Sequence, residues 1–167
     1  NVIPRKCNDD IDKFDNETIL HPGCKKYIED GEFETHYFSC PHCDKPDAID
    51  GYHVIDLLFD HDVLDGHDQT LFFELHAQLN IEDINHWRNF YNYSKQRTRA
   101  EERSGTKDAL VIGYGSMNGL EAAAAISHFP YMGGAFSAVC GEKFRLITEI
   151  AIAKRVPLII YTASGGM

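Results

Sequence analysis

Two glycine pairs, Gly133-Gly134 and Gly165-Gly166, constrain this chain more than any other feature, because each follows an apolar run that reads as a β-strand. The first closes the stretch that begins at Leu120-Glu121-Ala122-Ala123-Ala124-Ala125-Ile126-Ser127. The second closes Val156-Pro157-Leu158-Ile159-Ile160-Tyr161, a run too short and too β-branched for a helix. Without a Cβ, a glycine accepts positive φ and lets a bound group come close to its N–H. Beyond the first pair, Phe144, Ile147, Ile150 and Ala151 recur at helical spacing and predict an amphipathic helix whose N-terminus favours anions. Donors converging from two such strand ends form an oxyanion hole. The competing reading is that the glycines only end strands.

Upstream of the first pair, residues 108–114 and 120–127 predict an antiparallel hairpin turned at Asn118-Gly119, a dipeptide suited to the two positive φ angles of a type I′ turn. Residues 47–104 read as a connector, with a helix near 53–59, a short strand at 70–75 and a polar helix over 81–103 that opens acidic and closes basic. Residues 1–20 form an acidic extension with Ile11 and Phe14 as candidate anchors, residues 21–46 a small metal-binding module, and residues 105–167 the start of the larger core.

The metal reading rests on spacing. Cys40-Pro41-His42-Cys43 is a C-x-x-C knuckle, and His21-Pro22-Gly23-Cys24 is an H-x-x-C of equal length, fifteen residues upstream. Two such knuckles at this separation define a zinc ribbon, with His21, Cys24, Cys40 and Cys43 on one tetrahedral ion. Its outer strands are predicted around residues 26–28 and 35–38. Cys7 is the rival for the fourth place. Four protein ligands close the site, which makes the zinc structural. The remaining histidines, His36, His42, His53, His61, His67, His76, His86 and His128, show no ligand spacing and are assigned no role in chemistry; a solvated imidazole is the default. Cys140 reads as a small buried hydrophobe.

Charge narrows the classes of partner. Residues 1–60 carry fourteen Asp and Glu against six Lys and Arg, whereas residues 111–167 carry three against four. A ribbon that neutralises phosphates needs Lys or Arg, so the charge argues against nucleic acid as a partner. No run of eighteen apolar residues is present to span a membrane. An odd cysteine count, with four thiols or imidazoles assigned to metal, suits a reducing compartment. Lys95, Arg97, Arg99 and Arg103 form the one basic cluster, either a solvated helix face or a phosphate-binding one.

In fixed order and spacing, Gly105-Thr106-Lys107-Asp108-Ala109-Leu110-Val111, Gly115-Ser116-Met117-Asn118-Gly119, Tyr131-Met132-Gly133-Gly134, Val139-Cys140-Gly141-Glu142-Lys143 and Ser164-Gly165-Gly166 resemble the carboxyltransferase β subunit of multi-subunit, biotin-dependent acetyl-CoA carboxylase. The resemblance is dense from about Tyr93 to the last residue. It implies an α/β fold, an N-terminal zinc ribbon followed by part of a crotonase-like (ClpP/crotonase) ββα core. The hairpin, one helix and one strand of residues 106–167 do not enclose such a core, so further ββα units are expected from more polypeptide or from a second chain.

The activity implied is transfer of a carboxyl group from carboxybiotin to acetyl-CoA, giving malonyl-CoA for fatty-acid synthesis. By the same resemblance, N–H groups near Gly133 or Gly134 and near Gly165 or Gly166 serve the thioester or the biotin ureido oxygen, while Met132, Lys95 and Arg97 contact the acyl-CoA. The implied partners are a carboxyltransferase α subunit and a biotin carboxyl carrier protein bearing the carboxybiotin, in a hetero-oligomer with paired β subunits. The implied setting is the bacterial cytoplasm or the plastid stroma. Three positions depart from the family pattern: His21 stands where a cysteine is usual, Gln96 where an arginine is, and Ala135-Phe136-Ser137-Ala138 where small Ser and Gly residues are. An enzyme acting on another acyl-CoA, a malonyl-thioester decarboxylase, and a non-catalytic zinc-stapled subunit are the alternatives.

Overall fold

The computed structural model describes residues 18–21, 23–29, 32–36, 38–46, 49–64, 67–80, 86 and 89–165. The chain divides into two compact units, residues 1–48 and residues 49–167. Cys7, the proposed anchors Ile11 and Phe14, and Gly166 lie outside the described residues.

In the first unit, β1 (Thr18–Leu20) pairs antiparallel with β2 (Tyr27–Glu29), and a one-turn helix α1 (Glu32–Thr35) follows. The strand expected over 26–28 is β2. The strand expected over 35–38 is not formed: Thr35 ends α1, its hydroxyl and the His36 N–H both bonding to the Glu32 carbonyl. The partner of β2 lies upstream instead, in Thr18-Ile19-Leu20. Among the described residues of this unit, Ile28, Cys40 and His21 are buried.

The second unit is built on a four-stranded sheet ordered β5 (Phe72–Leu75), β6 (Leu110–Met117), β7 (Leu120–Ser127) and β8 (Leu158–Tyr161). The predicted hairpin is β6–β7, in register from Leu110↔Ser127 to Met117↔Leu120, with positive φ at Asn118 and Gly119. Helix α4 (Ala138–Lys154) crosses from β7 to β8, which therefore run parallel. It lies on one face of the sheet against Leu110, Ile112, Ala123 and Ala125, through Cys140, Ile147 and Ala151 with Phe144 and Ile150 beside them. Helix α2 (Gly51–Leu58) covers the other face, placing Val54 and Ile55 together with Phe59 on Val111, Ala124 and Ile126. With a helix on each side, β7 is buried throughout residues 122–127, which explains an apolar run without alternation.

Two elements of the connector differ from expectation. The strand expected over 70–75 divides into β4 (His67–Thr70), which pairs with β3 (His61–Leu64), and β5, which joins the core sheet at its edge. The polar helix is α3, Tyr91–Ser104, ended by Gly105 at φ 71. Of the region expected to begin it, residues 81–85, 87 and 88 lie outside the described residues.

Asp60 fastens the β6–β7 turn from fifty-eight residues away. Its carboxylate accepts from the N–H groups of Asn118 and Gly119 at 2.7 and 2.8 Å and from the Ser116 hydroxyl. Those bonds, the Ser116 hydroxyl first, hold its carboxyl below the usual carboxylate range. Because the folded value is depressed, the stabilisation is complete above the unfolded value near pH ~3.9 and is lost as pH falls through the folded one. Asp60→Ala is therefore expected to lower the thermal midpoint at pH 7. The deficit relative to the parent should shrink below pH ~4, and a deficit unchanged with pH would contradict this role.

Candidate functional site

The two knuckles fold alike. His21 N–H donates to Lys26 O and Lys25 N–H to His21 O, at 2.8 and 2.9 Å; Cys40 N–H donates to Lys45 O and Asp44 N–H to Cys40 O, at 2.9 and 2.8 Å. Lys25 and Asp44, each following the second ligand of its knuckle, both take positive φ. These matching turns bring one ligand atom each from His21, Cys24, Cys40 and Cys43 within 4.8 Å of one another. Cys24 Sγ lies 3.4 Å from His21 Nδ1 and 3.7 Å from Cys40 Sγ, and Cys43 Sγ lies 3.7 Å from His21 Nδ1. Ligands ~2.0–2.3 Å from a tetrahedral ion have edges of about 3.5–3.8 Å, so the cluster fits a metal ion with both thiolate and imidazole donors.

The first glycine pair meets Gly165. After β7 the chain passes through Phe129-Pro130-Tyr131 into a 3₁₀ turn, Met132–Gly134, with φ of 47, 67 and 72° at Met132, Gly133 and Gly134. Gly165 N–H donates to Gly133 O at 2.9 Å, joining the segment after β8 to this turn. A Cβ on Gly134 would stand 2.1 Å from Ala163 O, so the turn lies directly on the 163–164 backbone. A Cβ on Gly133 would meet nothing within 4 Å. The N–H of Gly134 is engaged by Tyr131 O at 2.9 Å, and that of Gly165 by Gly133 O. Within this pair of segments, the seam is held by Gly134 and Gly165, and the open face is at Gly133.

Beside the turn is a groove of about 400 Å³ lined by Gln96, Arg99, Ala100, Arg103 and Met132. Arg103 also donates to Pro130 O at 2.9 Å, which ties α3 to the segment leading into the turn. The basic cluster read from the sequence thus divides by helical phase. Arg99 and Arg103, one turn apart, face the groove; Arg97 points elsewhere, its Nε 2.8 Å from Glu101 Oε1, and Lys95 is exposed. Of Met132, Lys95 and Arg97, only Met132 lines this groove, while Gln96, Arg99 and Arg103 enter it in place of the other two. The i, i+3, i+4 spacing of 96, 99, 100 and 103 groups them on one face of α3, but nothing local says which face meets the groove.

Arg97 lines a second cavity of about 190 Å³ with Gln78, Leu79, Asn80 and Lys107, where Glu101 holds both cations. It also bonds to the Tyr131 hydroxyl, whose pKa burial pushes up. His128, expected to be solvated, is 3% exposed, its Nδ1 accepting from Gly51 N–H at 3.2 Å. Its neighbours Ile126 and Ser127 are the buried end of β7, and that burial overrides its polar type. Cys140 is buried, as its place on α4 predicts. No described helix is long and apolar enough to cross a membrane.

The carboxyl transferase domain family matches residues 69–167. Two structures of transcarboxylase 12S, one with methylmalonyl-coenzyme A and methylmalonic acid bound and one with hydrolyzed methylmalonyl-coenzyme A bound, each align with a TM-score of 0.52 at 20% identity, covering 70% of this chain and 19% of theirs. A single-chain, multi-domain long-chain acyl-CoA carboxylase aligns with a TM-score of 0.49 at 19% identity, covering 70% of this chain and 11% of its own. The chain spans about a fifth of the length of the transcarboxylase structures it matches. With the transcarboxylases the likeness is one of fold, the mixed α/β arrangement of crotonase-like carboxyltransferases.

Proposed function

We propose, from the premise that this chain belongs to the carboxyl transferase domain family, that it forms the acyl-CoA side of a biotin-dependent acetyl-CoA carboxylase, in which a carboxyl group passes to acetyl-CoA to give malonyl-CoA. The observation that carries this reading is the joining of the two glycine segments beside a basic groove. Carboxybiotin, on a biotin carboxyl carrier protein and presented by a carboxyltransferase α subunit, supplies the carboxyl group and then the base for the thioester α-proton. The chain's own task is to bind the thioester and to stabilise the enolate oxygen as that proton leaves.

We assign that stabilisation to the N–H of Gly133, since those of Gly134 and Gly165 already have acceptors; Gly166, outside the described residues, stays a candidate by the resemblance alone. One oriented donor of this kind contributes about 2.7–4 kcal/mol to the barrier. Arg99 and Arg103 receive the coenzyme A phosphates through charge-assisted hydrogen bonds. The four-ligand cluster holds a structural Zn²⁺, because neither ring nor thiolate leaves a coordination position for substrate. Domain limits of 1–20, 21–46, 47–104 and 105–167, paired β subunits, and a bacterial cytoplasmic or plastid setting complete the proposal.

The test is the substrate side. Arg99→Ala and Arg103→Ala are each expected to raise KM for acetyl-CoA about 10–100-fold, the loss of one hydrogen bond to a charged group, with kcat changed far less. Lys95→Ala is expected to change KM less than threefold, roughly the effect of an exposed charge. Equal effects at positions 95, 99 and 103 would mean that the groove is not the binding face.

A second reading, another acyl-CoA as acceptor, is favoured by Phe136. It is 51% exposed, two residues past Gly134, where the family has small residues. A panel of acetyl-, propionyl- and longer acyl-CoAs, compared by kcat/KM, decides between the two.

A further inference from the structure

Lys143 and Asp108 are each 2% exposed, a charged pair inside the apolar layer between α4 and the sheet. The Lys143 ammonium lies 2.9 Å from Asp108 Oδ2 and donates a hydrogen bond to Leu110 O at 2.9 Å. Asp108 Oδ1 accepts from Leu110 N–H at 2.8 Å and is 3.8 Å from Cys140 Sγ. Ser137, the N-cap of α4, accepts from Cys140 N–H at 3.2 Å and has its hydroxyl 3.4 Å from Cys140 Sγ. The first two turns of α4 are in this way bound to the corner where β6 begins.

The other end of the glycine loop is bound to the same corner. His128 N–H donates to Ala109 O at 2.8 Å, Tyr131 N–H to His128 O at 3.2 Å, and Gly134 N–H to Tyr131 O at 2.9 Å. Residues 129–136, which include the whole turn, are therefore a loop whose entry and exit stems both close on residues 108–110. The entry is fixed by main-chain bonds and by the Arg103 guanidinium on Pro130 O. The exit depends on side chains, and the strongest of these is a buried ion pair.

A hydrophobic pair of similar volume often stabilises a core as well or better. Stability alone is therefore a weak reason for burying Lys143, and the geometry points to another. We infer that the Asp108–Lys143 pair is a positioning device: it fixes the register of α4 against β6 and thereby the placement of the Gly133 N–H and of Met132. Neither residue lines the groove, and Arg99 and Arg103 are carried on α3, so of the groove's residues only Met132 depends on the pair and the two arginines do not. This inference rests on the carboxyl-transfer reading only for its catalytic consequence; the placement of the loop is a physical claim of its own.

The experiment is Lys143→Met together with Asp108→Asn, which leaves no charge buried and keeps an acceptor for Leu110 N–H. Lys143→Met alone strands the Asp108 carboxylate and serves only as a reference for folding. In the assembled complex with its partner subunits, the double variant is expected to keep its thermal midpoint close to the parent's. Amide exchange over residues 131–137 should become faster, kcat should fall on the order of 10²-fold through misplacement of the turn, and KM for the acyl-CoA should stay within about twofold. Unchanged exchange over 131–137 overturns the positioning role whatever the reaction is. Faster exchange with parental kcat also overturns it, by showing that the loop's placement does not matter to turnover. Should the parent complex transfer no carboxyl group, the carboxyltransferase reading fails instead, and the exchange data alone decide whether the pair places the loop.

Discussion

Gly134→Val is expected to reduce carboxyl transfer by about 10²–10³-fold or more, and to do so by separating two backbone segments. Its Cβ would stand 2.1 Å from Ala163 O, with φ at 72°. The left-handed backbone alone costs a non-glycine residue about 1–3 kcal/mol, more for a β-branched one. No flexible side chain is there to yield; the obstacle is a carbonyl. The 163–165 segment must therefore move away, taking the Gly165 N–H from Gly133 O. Gly133→Ala separates the two roles of the pair. Its Cβ enters open space, so its cost to stability is limited to about 1–2 kcal/mol of backbone strain, yet it fills the open face that we assign to the thioester. Turnover per assembled complex should fall for both variants, whereas the thermal midpoint should fall much further for Gly134→Val. Wild-type turnover per complex in Gly133→Ala would reduce the glycines to strand terminators.

Removing the metal is expected to have the largest effect on the first unit. Among its described residues Ile28, Cys40 and His21 are the buried ones, and structural zinc in small modules contributes about 10–16 kcal/mol of apparent binding energy, most of which is folding energy. Chelation, Cys40→Ser or His21→Ala should each unfold residues 18–46 while leaving the sheet of the second unit intact. Cys7→Ser should leave one zinc per chain, because His21 already completes a four-ligand cluster. Elemental analysis alongside amide exchange resolved by segment measures both. Loss of zinc in Cys7→Ser, or a parent protein without stoichiometric metal, would contradict the assignment.

What the sequence made legible was local. Asn118-Gly119 specified the β6–β7 hairpin, the H-x-x-C and C-x-x-C knuckles specified the four-ligand cluster, and the 3.6-residue spacing of Phe144, Ile147 and Ala151 specified the buried face of α4. The β3–β4 hairpin carries a turn dipeptide in its sequence, Asp65-Gly66, but its two polar strands have little apolar alternation to mark them as strands. Four features lay beyond any local pattern. Asp60 reaches the turn at Asn118 across the chain, Lys143 reaches Asp108, His128 is buried by its neighbours, and the groove selects Arg99 and Arg103 over Lys95 and Arg97 by the phase at which α3 lands beside Met132. Each depends on which residues folding brings together, and composition or charge clustering carries no information about that. The glycine pairs fall between the two cases: their positions were evident, but the split between seam and open face required the backbone.

The central claim is carboxyl transfer to a thioester, and the most direct measurement is transfer of labelled carboxyl from a carboxybiotin carrier to acetyl-CoA by the full-length protein assembled with its α-type partner. The account predicts label in malonyl-CoA, dependent on both proteins and strongly reduced in Gly133→Ala. No label in acetyl-CoA or in any other acyl-CoA of the panel, from a complex shown to be assembled and to contain its metal, would contradict it.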